Sequence, residues 1–550
     1  MNHIELFAGC GGMALGLEAA GFELVMANEF SPMAAETFAY NILNEDLRAD
    51  GIDNKADRKT LWISSGEKNI AERLSEDPYK YPTRYKNSDL IDNGNLDLSG
   101  KLIIGDIRRL NKYLKDNPNV LKKLSDGKNK RGIDLVSGGP PCQSFSMAGL
   151  RNKDSYKNTL PWDFANFVEM VKPKIVLLEN VSGILRPFSN KSNGKKYYAY
   201  YEVAKAFSIK GYIPICLHIN AKQIGAPQNR PRFIMMAISA NYFKKIKKKL
   251  ISSTAENSLI LTTAEEFYKK IKGNDITELS DLKVWDSNKQ EHADLFSNSF
   301  LSDLTAGGQA SVKDAINDLL TSNRGRKSNY VSTINRLFGN GNINKSEIKN
   351  HAHRKHSKKT IERFKYYQLI SNLERRNKYK FDETEIKNNK IIISEFKKIT
   401  SGKLDVFSKE TKQHLNKTLN HIERLIDKYP DLEEVVIRLR SLKEPNLRQY
   451  STRKHSQKAL IAELPAPAAL SIPDDVCHYS ESEPRTLTVR ELARIQTFPD
   501  NFIFRNKVTT GGERRRFEVP QYTQVGNSVP PLLARAIGLS VNSLLEIDLS

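Results

Sequence analysis

Ile4-Glu5-Leu6-Phe7-Ala8-Gly9-Cys10-Gly11-Gly12-Met13 opens with strand-like residues, passes through a glycine-rich turn and enters a helical run to Ala20. A strand that ends in such a turn, at a helix N-terminus, lets backbone approach a ligand closely. By itself the turn says little, because glycine turns are common. The residues that follow give it weight. Leu24-Val25-Met26-Ala27 reads as a second strand, and Ser31 to Asn41 as a helix with Ser31 as its cap and Pro32 at its first position. Further strands are expected over 101–104, 133–137, 175–178, 212–217 and 233–238, with helical runs such as 162–171 and 200–210 between them. This alternation predicts an α/β fold with a doubly wound, mainly parallel sheet. In such sheets ligands sit at the carboxyl ends of the strands.

Several polar residues fall at those ends. Glu29 closes the second strand, where a carboxylate can accept both hydroxyls of a ribose. Asp106, in Gly105-Asp106-Ile107 after the third strand, can accept from an adenine amino group. The first turn is not the dinucleotide GxGxxG pattern, so a nucleoside without pyrophosphate, such as S-adenosylmethionine, fits better.

Cys142 follows the strand Asp134-Leu135-Val136-Ser137, in the stiff loop Gly138-Gly139-Pro140-Pro141-Cys142-Gln143-Ser144. An unplaced cysteine is more often a buried, inert thiol. A thiolate held on a loop at the ligand edge is instead a strong nucleophile. Of the other three cysteines, Cys10 is expected to pack in the turn and Cys216 in a strand, while Cys477 has no assigned role. Leu177-Leu178-Glu179-Asn180-Val181 delivers Glu179 to the same edge, where a carboxyl can hydrogen-bond or protonate a ring nitrogen. Gln228-Asn229-Arg230-Pro231-Arg232 brings two arginines suited to orienting a base or clamping a phosphate. Pro484 to Pro499 reads as structural, with Thr488 and Glu491 as a capping box. Gln524-Val525-Gly526-Asn527-Ser528-Val529 offers polar groups near a helix start.

The whole chain has 550 residues and carries 86 Lys+Arg against 64 Asp+Glu, a net charge of +22 that suits a polyanion partner. Residues 321–460 hold 33 Lys+Arg and 15 Asp+Glu, so most of the excess lies in one quarter of the length. The cysteines form no CxxC pair, so neither a zinc site nor a disulfide framework is expected. His351-Ala352-His353-Arg354-Lys355-His356 suggests metal, but DNA-facing or solvated histidines are the simpler reading, and no metal is expected. No signal-peptide pattern and no apolar run of 18 residues is visible, so a cytoplasmic protein without a membrane partner is expected.

Taken together, these motifs resemble the DNA cytosine-5-methyltransferase family of bacterial restriction-modification type. The resemblance covers residues 4–42, 101–110, 132–238 and 484–540. It implies a Rossmann-like, S-adenosylmethionine-dependent methyltransferase sheet with a second, smaller, basic target-recognition domain. The implied division is 1–240 for catalysis and cofactor binding, with a polar surface insertion at about 47–100. Residues 241–483 would then form the DNA-binding recognition region, and 484–550 would return to complete the catalytic domain. The implied roles are Cys142 as the nucleophile on carbon 6 of a flipped-out cytosine, Glu179 at its ring nitrogen and amine, and Arg232 behind the base with Arg230 close by. Phe7 would pack on adenine, Glu29 hold the ribose, and Asp106 and Ile107 hold the adenine edge. Gly9, Gly11, Asn527 and Ser528 would approach the methionine part. Asp154 to Leu160 departs from the family pattern and carries no implied contact. Double-stranded DNA is the implied partner, a cognate restriction endonuclease a further one, and a monomer is expected. The alternatives are an RNA cytosine-5 methyltransferase and a catalytically inactive DNA-binding adaptor.

Overall fold

The computed structural model describes residues 1–49, 58–90, 96–141, 159–189, 196–322, 327–339, 347–376, 458–468 and 476–547. Nine strands form one sheet. In chain order they are β1 (Asn2–Leu6), β2 (Glu23–Glu29), β3 (Thr60–Trp62), β4 (Lys101–Ile104), β5 (Leu135–Gly138), β6 (Ile175–Val181), β7 (Tyr212–Asn220), β8 (Pro231–Ser239) and β9 (Val284–Asp286). Their order across the sheet is β9-β7-β8-β6-β5-β1-β2-β4-β3. Every pairing is parallel except those of β8, which runs antiparallel to β6 and β7.

The central strands are apolar on both faces because helices cover both. Along β6, Val176 and Leu178 enter one core and Ile175 and Leu177 the other, which is the two-residue period of a strand. Register aligns the carboxyl ends: Leu6 lies opposite Asn28 and Gly138, Glu29 opposite Ile104, and Gly138 opposite Leu178. The chain winds outward on both sides of β1, so the crevice beyond Leu6 and Gly138 is the switch point where such sheets bind ligands.

Two expectations are corrected. Residues 58–90, expected as part of a polar surface insertion, supply the edge strand β3 and bury Leu61, Trp62, Ile63 and Leu74. Weak periodicity hid a three-residue strand. Likewise the sheet body runs past residue 240. The helices Ala240–Ser253 and Ala255–Lys272 pack Ile246, Leu250, Ile260 and Leu261 against it, and β9 pairs with β7.

The last helix returns to the first. α1 (Gly12–Glu18) lies against α2 (Pro531–Glu546) so closely that a Cβ on Gly16 would stand 2.3 Å from the Pro531 carbonyl oxygen and 2.5 Å from Ala534 Cβ. Only glycine fits there, and the contact fixes residues 526–529 over the start of α1.

Candidate active site

A cavity of about 640 Å³ opens at the carboxyl edge of the sheet. Phe7, Gly9, Glu29, Asp106, Ile107, Asn527 and Ser528 line it, and so do Glu179, Arg230 and Arg232. Cys142 lies outside the described residues, but Gly139, Pro140 and Pro141, which lead to it, line the same cavity.

On the β1–β2 side, the Glu29 carboxylate organises the turn. Its Oε2 accepts from the Gly9 amide at 2.8 Å and its Oε1 from the Ser31 amide at 2.7 Å. Each oxygen keeps a second acceptor site. Burial raises the pKa of Glu29 in spite of these bonds. Beneath it, Glu5 is buried, and its Oε2 has no hydrogen-bond partner. Burial, and next the charge of Glu29, push the Glu5 pKa well above the usual carboxylate range. Asp106 caps the helix Ile107–Asp116, accepting from the Arg108 amide at 2.9 Å and pairing with the Arg108 guanidinium at 2.5 Å.

On the β5–β6 side, Arg232 Nε stands 2.7 Å from Glu179 Oε1, and both side chains are about nine-tenths buried. A Cβ on Gly139 would lie 3.0 Å from Glu179 Oε2, so the loop backbone runs directly past this carboxylate. Asn180 Nδ2 donates to the Pro140 carbonyl at 3.1 Å and holds that loop to the end of β6. The loop after Val181 is held in turn by Ser182 Oγ, 2.9 Å from His218 Nε2, and by His218 Nδ1, 2.9 Å from Asp286 Oδ2. Asp286 belongs to the edge strand β9, so the sheet edge braces the loop.

Two residues expected at the site act differently. Gly11 lies behind the turn: a Cβ there would meet Ile42 Cγ1 at 2.9 Å and Phe38 Cδ2 at 3.2 Å, and it does not line the cavity. It is needed for its φ of 98° and for packing against the helix Pro32–Ile42. Arg230 turns its guanidinium to the chain itself, with Nη2 donating to the carbonyls of Gly526 at 2.8 Å and Ser528 at 2.9 Å. Burial, and next the charge of Arg232, lower its pKa well below the usual arginine range. Arg230 is therefore a positioning residue for the Gly526–Ser528 turn.

Other cavity residues carried no expected role. Phe30 follows Glu29 and lines the cavity with Tyr79, and Arg515 and Arg516 stand at it on an exposed turn. Position after Glu29 was the available signal for Phe30. Nothing local in the sequence marks the others. The three described cysteines are free and buried. Burial pushes the Cys10 thiol up to about 12 and raises Cys216 and Cys477 further. Burial thus disfavours the thiolate form of all three.

His478, Glu483 and Glu491 bring ligand-type atoms together, but their protons and charges are already assigned. The Arg485 guanidinium bridges both carboxylates. His478 Nδ1 accepts from the Ser480 amide at 3.0 Å, so Nε2 carries the proton and faces Glu491 at 3.8 Å. His351, from the histidine-rich stretch, sits 2.9 Å from Thr488 Oγ1 and 3.2 Å from the Leu319 carbonyl.

The parallel sheet, the glycine turn with its carboxylate, and a buried Glu–Arg pair on the same cavity define an α/β methyltransferase-type site. The C-5 cytosine-specific DNA methylase family matches residues 1–61 and 99–543. The chain belongs to that family and is a DNA cytosine-5 methyltransferase. It is 24% identical over 550 residues to the type II methyltransferase M.DdeI of Desulfomicrobium norvegicum, covering 99% of this chain and 89% of that one. It is 23% identical over 544 residues to the type II methyltransferase M1.HphI of Haemophilus parahaemolyticus, covering 98% and 86%. A shorter likeness, 30% over 233 residues, links it to the type II methyltransferase M.NgoPII of Neisseria gonorrhoeae, covering 42% of this chain and 46% of that one.

Proposed function

We propose that the enzyme methylates carbon 5 of a flipped-out cytosine in a specific duplex DNA sequence, with Cys142 as covalent nucleophile and S-adenosylmethionine as methyl donor. One observation carries this reading. The Glu179–Arg232 pair, the Pro140 loop that leads to Cys142, and the Glu29-pinned glycine turn all converge on one cavity. The donor set fits the cofactor. Glu29 has acceptor sites for ribose hydroxyls, Phe7, Phe30 and Ile107 give an apolar wall for adenine, and a Cβ on Gly9 would meet nothing within 4 Å. Asn527 and Ser528 offer polar groups to the methionine part. When bound, S-adenosylmethionine supplies an electrophilic methyl group on its sulfonium.

The chain's own residues supply the activation. Carbon 5 of cytosine is a weak nucleophile. The Cys142 thiolate adds to carbon 6 and turns carbon 5 into an enamine carbon that takes the methyl group. Loss of the carbon 5 proton re-forms the ring double bond and expels the thiolate. Glu179 contacts the ring nitrogen and exocyclic amine, stabilising charge as it develops there. Arg232 holds the Glu179 carboxylate in place, and Arg230 holds the turn that faces the cofactor. The target carbon is inaccessible within a stacked duplex, so the base must leave the helix. The basic residues of 321–460, most of them outside the described part, would contact phosphates during that step.

The type II names of its relatives favour a protective role within a restriction-modification system; with that role we further propose a cognate endonuclease as functional partner and a monomer acting in the cytoplasm. No helix among the described residues is long and apolar enough to cross a membrane. Transfer of labelled methyl groups to duplex DNA and to transfer RNA, followed by nucleoside analysis, tests the reading. 5-Methylcytosine should appear in DNA at one sequence context. Label confined to transfer RNA, or DNA binding without any transfer, contradicts it.

A further inference from the structure

Residues 62–98 are the stretch over which the family match lapses. The described residues among them, 62–90 and 96–98, are nonetheless firmly built. Arg73 pairs with Asp89 at 2.7 Å, both nearly fully buried, and its guanidinium lies over the Trp62 ring at 5.3 Å. The Glu76 carboxylate accepts from Ser65 Oγ at 2.5 Å and from the Gly66 amide at 2.6 Å. From this base rises the short turn Pro78–Lys80, capped by Asp77, whose side chain accepts from the Tyr79 amide at 3.0 Å.

The turn reaches the cavity. Pro78 and Tyr79 line it. The Tyr79 ring meets Phe30 edge-on, with centroids 5.1 Å apart and planes at 69°, and Phe30 meets the buried Tyr81 at 6.2 Å. Phe30 directly follows Glu29 and lines the cavity too. A large ring has thus been brought to the ligand edge, fixed on one side by Phe30, while remaining 48% exposed. A pre-ordered aromatic surface binds another flat ring at little further cost in entropy.

We propose that Tyr79 is the outer aromatic wall of the nucleoside end of the cofactor pocket, so that the inserted segment is a cofactor-holding element as well as a sheet edge. This rests on the reading that the cavity takes S-adenosylmethionine. Tyr79 would hold the purine by its ring face and touch neither the transferred methyl group nor the cytosine.

The test is calorimetric titration of the full-length protein with S-adenosylhomocysteine. Tyr79→Ala should weaken binding about three- to tenfold. Tyr79→Phe should bind as the parent protein does, because the ring face is kept. Tyr85→Ala removes a ring of the same segment that is 45% exposed and does not line the cavity, and it should also bind normally. In methyl transfer, Tyr79→Ala should raise KM for the cofactor and leave kcat unchanged. Undiminished binding by Tyr79→Ala overturns the proposal, as does equal weakening by Tyr79→Ala and Tyr85→Ala or by Tyr79→Ala and Tyr79→Phe. A parent protein that fails to bind S-adenosylhomocysteine overturns the cofactor assignment itself, which is a separate result.

Discussion

The carboxyl edge of the sheet and the segment from Arg485 to Asp500 both bury arginines beside carboxylates, and they use them to opposite ends. At the edge, Arg232 and Glu179 form one close pair that fronts an open cavity, and nearby Glu5 has an oxygen without a partner. In the second region the charges are closed upon one another. Arg494 is bidentate to Asp500, at 2.7 and 3.0 Å, and also reaches Asp318 at 2.5 Å. Arg490 donates to the carbonyls of Lys349, Pro499 and Phe502. Arg485 grips Glu491 through two bonds and Glu483 through a third. An arginine-rich stretch in a basic protein invites a reading as a DNA surface, yet these three arginines face inward: Arg490 and Arg494 tie Lys349, Ala315 and Asp318 to the C-terminal segment, and Arg485 closes Glu483 and Glu491 within it. Charge that has acceptors left over, or that borders a cavity, is what marks the working region.

Substitutions should separate the two regions. The largest effect should follow Arg494→Met, which strands the Asp318 carboxylate in the interior and leaves Asp500 to Lys327 and Asn335. Removing one partner of a buried pair costs about 3–5 kcal/mol, so a large fall in Tm is expected, and Tm within a degree of the parent would break the distinction. Glu179→Gln should do the reverse. Volume and a carbonyl acceptor for Arg232 are kept, so Tm should fall less than in Arg494→Met, while kcat falls about 10²- to 10⁴-fold, the range for a group acting directly at the reacting ring. An active Glu179→Gln enzyme would remove the edge pair from the chemistry.

A smaller effect depends on pH. His478 is buried in the closed network, and desolvation lowers its pKa from 6.5 to about 4. The unfolded chain takes up a proton near pH 6.5 that the folded state refuses until about pH 4. Stability is therefore highest above the unfolded value and falls as pH drops through that window. By pH 5 this one group should cost about 2 kcal/mol. Glu491, with its pKa lowered to about 2 despite burial because Arg485 bonds to it, stays charged when folded; its unfolded value of 4.5 places its own slope mainly below pH 5. Thermal melts between pH 7 and 5 should show a shallower decline for His478→Gln than for the parent. Identical slopes would contradict the assignment of a neutral, buried imidazole.

Much of this was legible in the residues. The strand Lys101–Ile104 and the capping box of Thr488 and Glu491 stand where the pattern puts them. The strands Glu23–Glu29 and Ile175–Val181 carry Glu29 and Glu179 at their carboxyl ends, where each apolar run gives way to a carboxylate. What escaped depends on distance along the chain. Nothing near Arg230 says that its guanidinium will meet carbonyls almost 300 residues away. Nothing in 58–90 announces an edge strand of three residues, or that Tyr79 will reach Phe30. The glycine-rich turn suggests that the Gly11 backbone faces a ligand, although its missing Cβ serves packing against Phe38 and Ile42 instead. Local pattern gives elements and their ends, whereas the partner of a buried side chain is set by topology.

The central claim is that Cys142 attacks a cytosine at this edge. DNA bearing 5-fluorocytosine at the target position tests it most directly, because fluorine at carbon 5 cannot leave as a proton does and the adduct persists. Incubation with S-adenosylmethionine and mass analysis of the trapped peptide should give a stable protein–DNA adduct at Cys142 that Cys142→Ser abolishes. No adduct with the parent protein, or the same adduct with Cys142→Ser, would contradict the account.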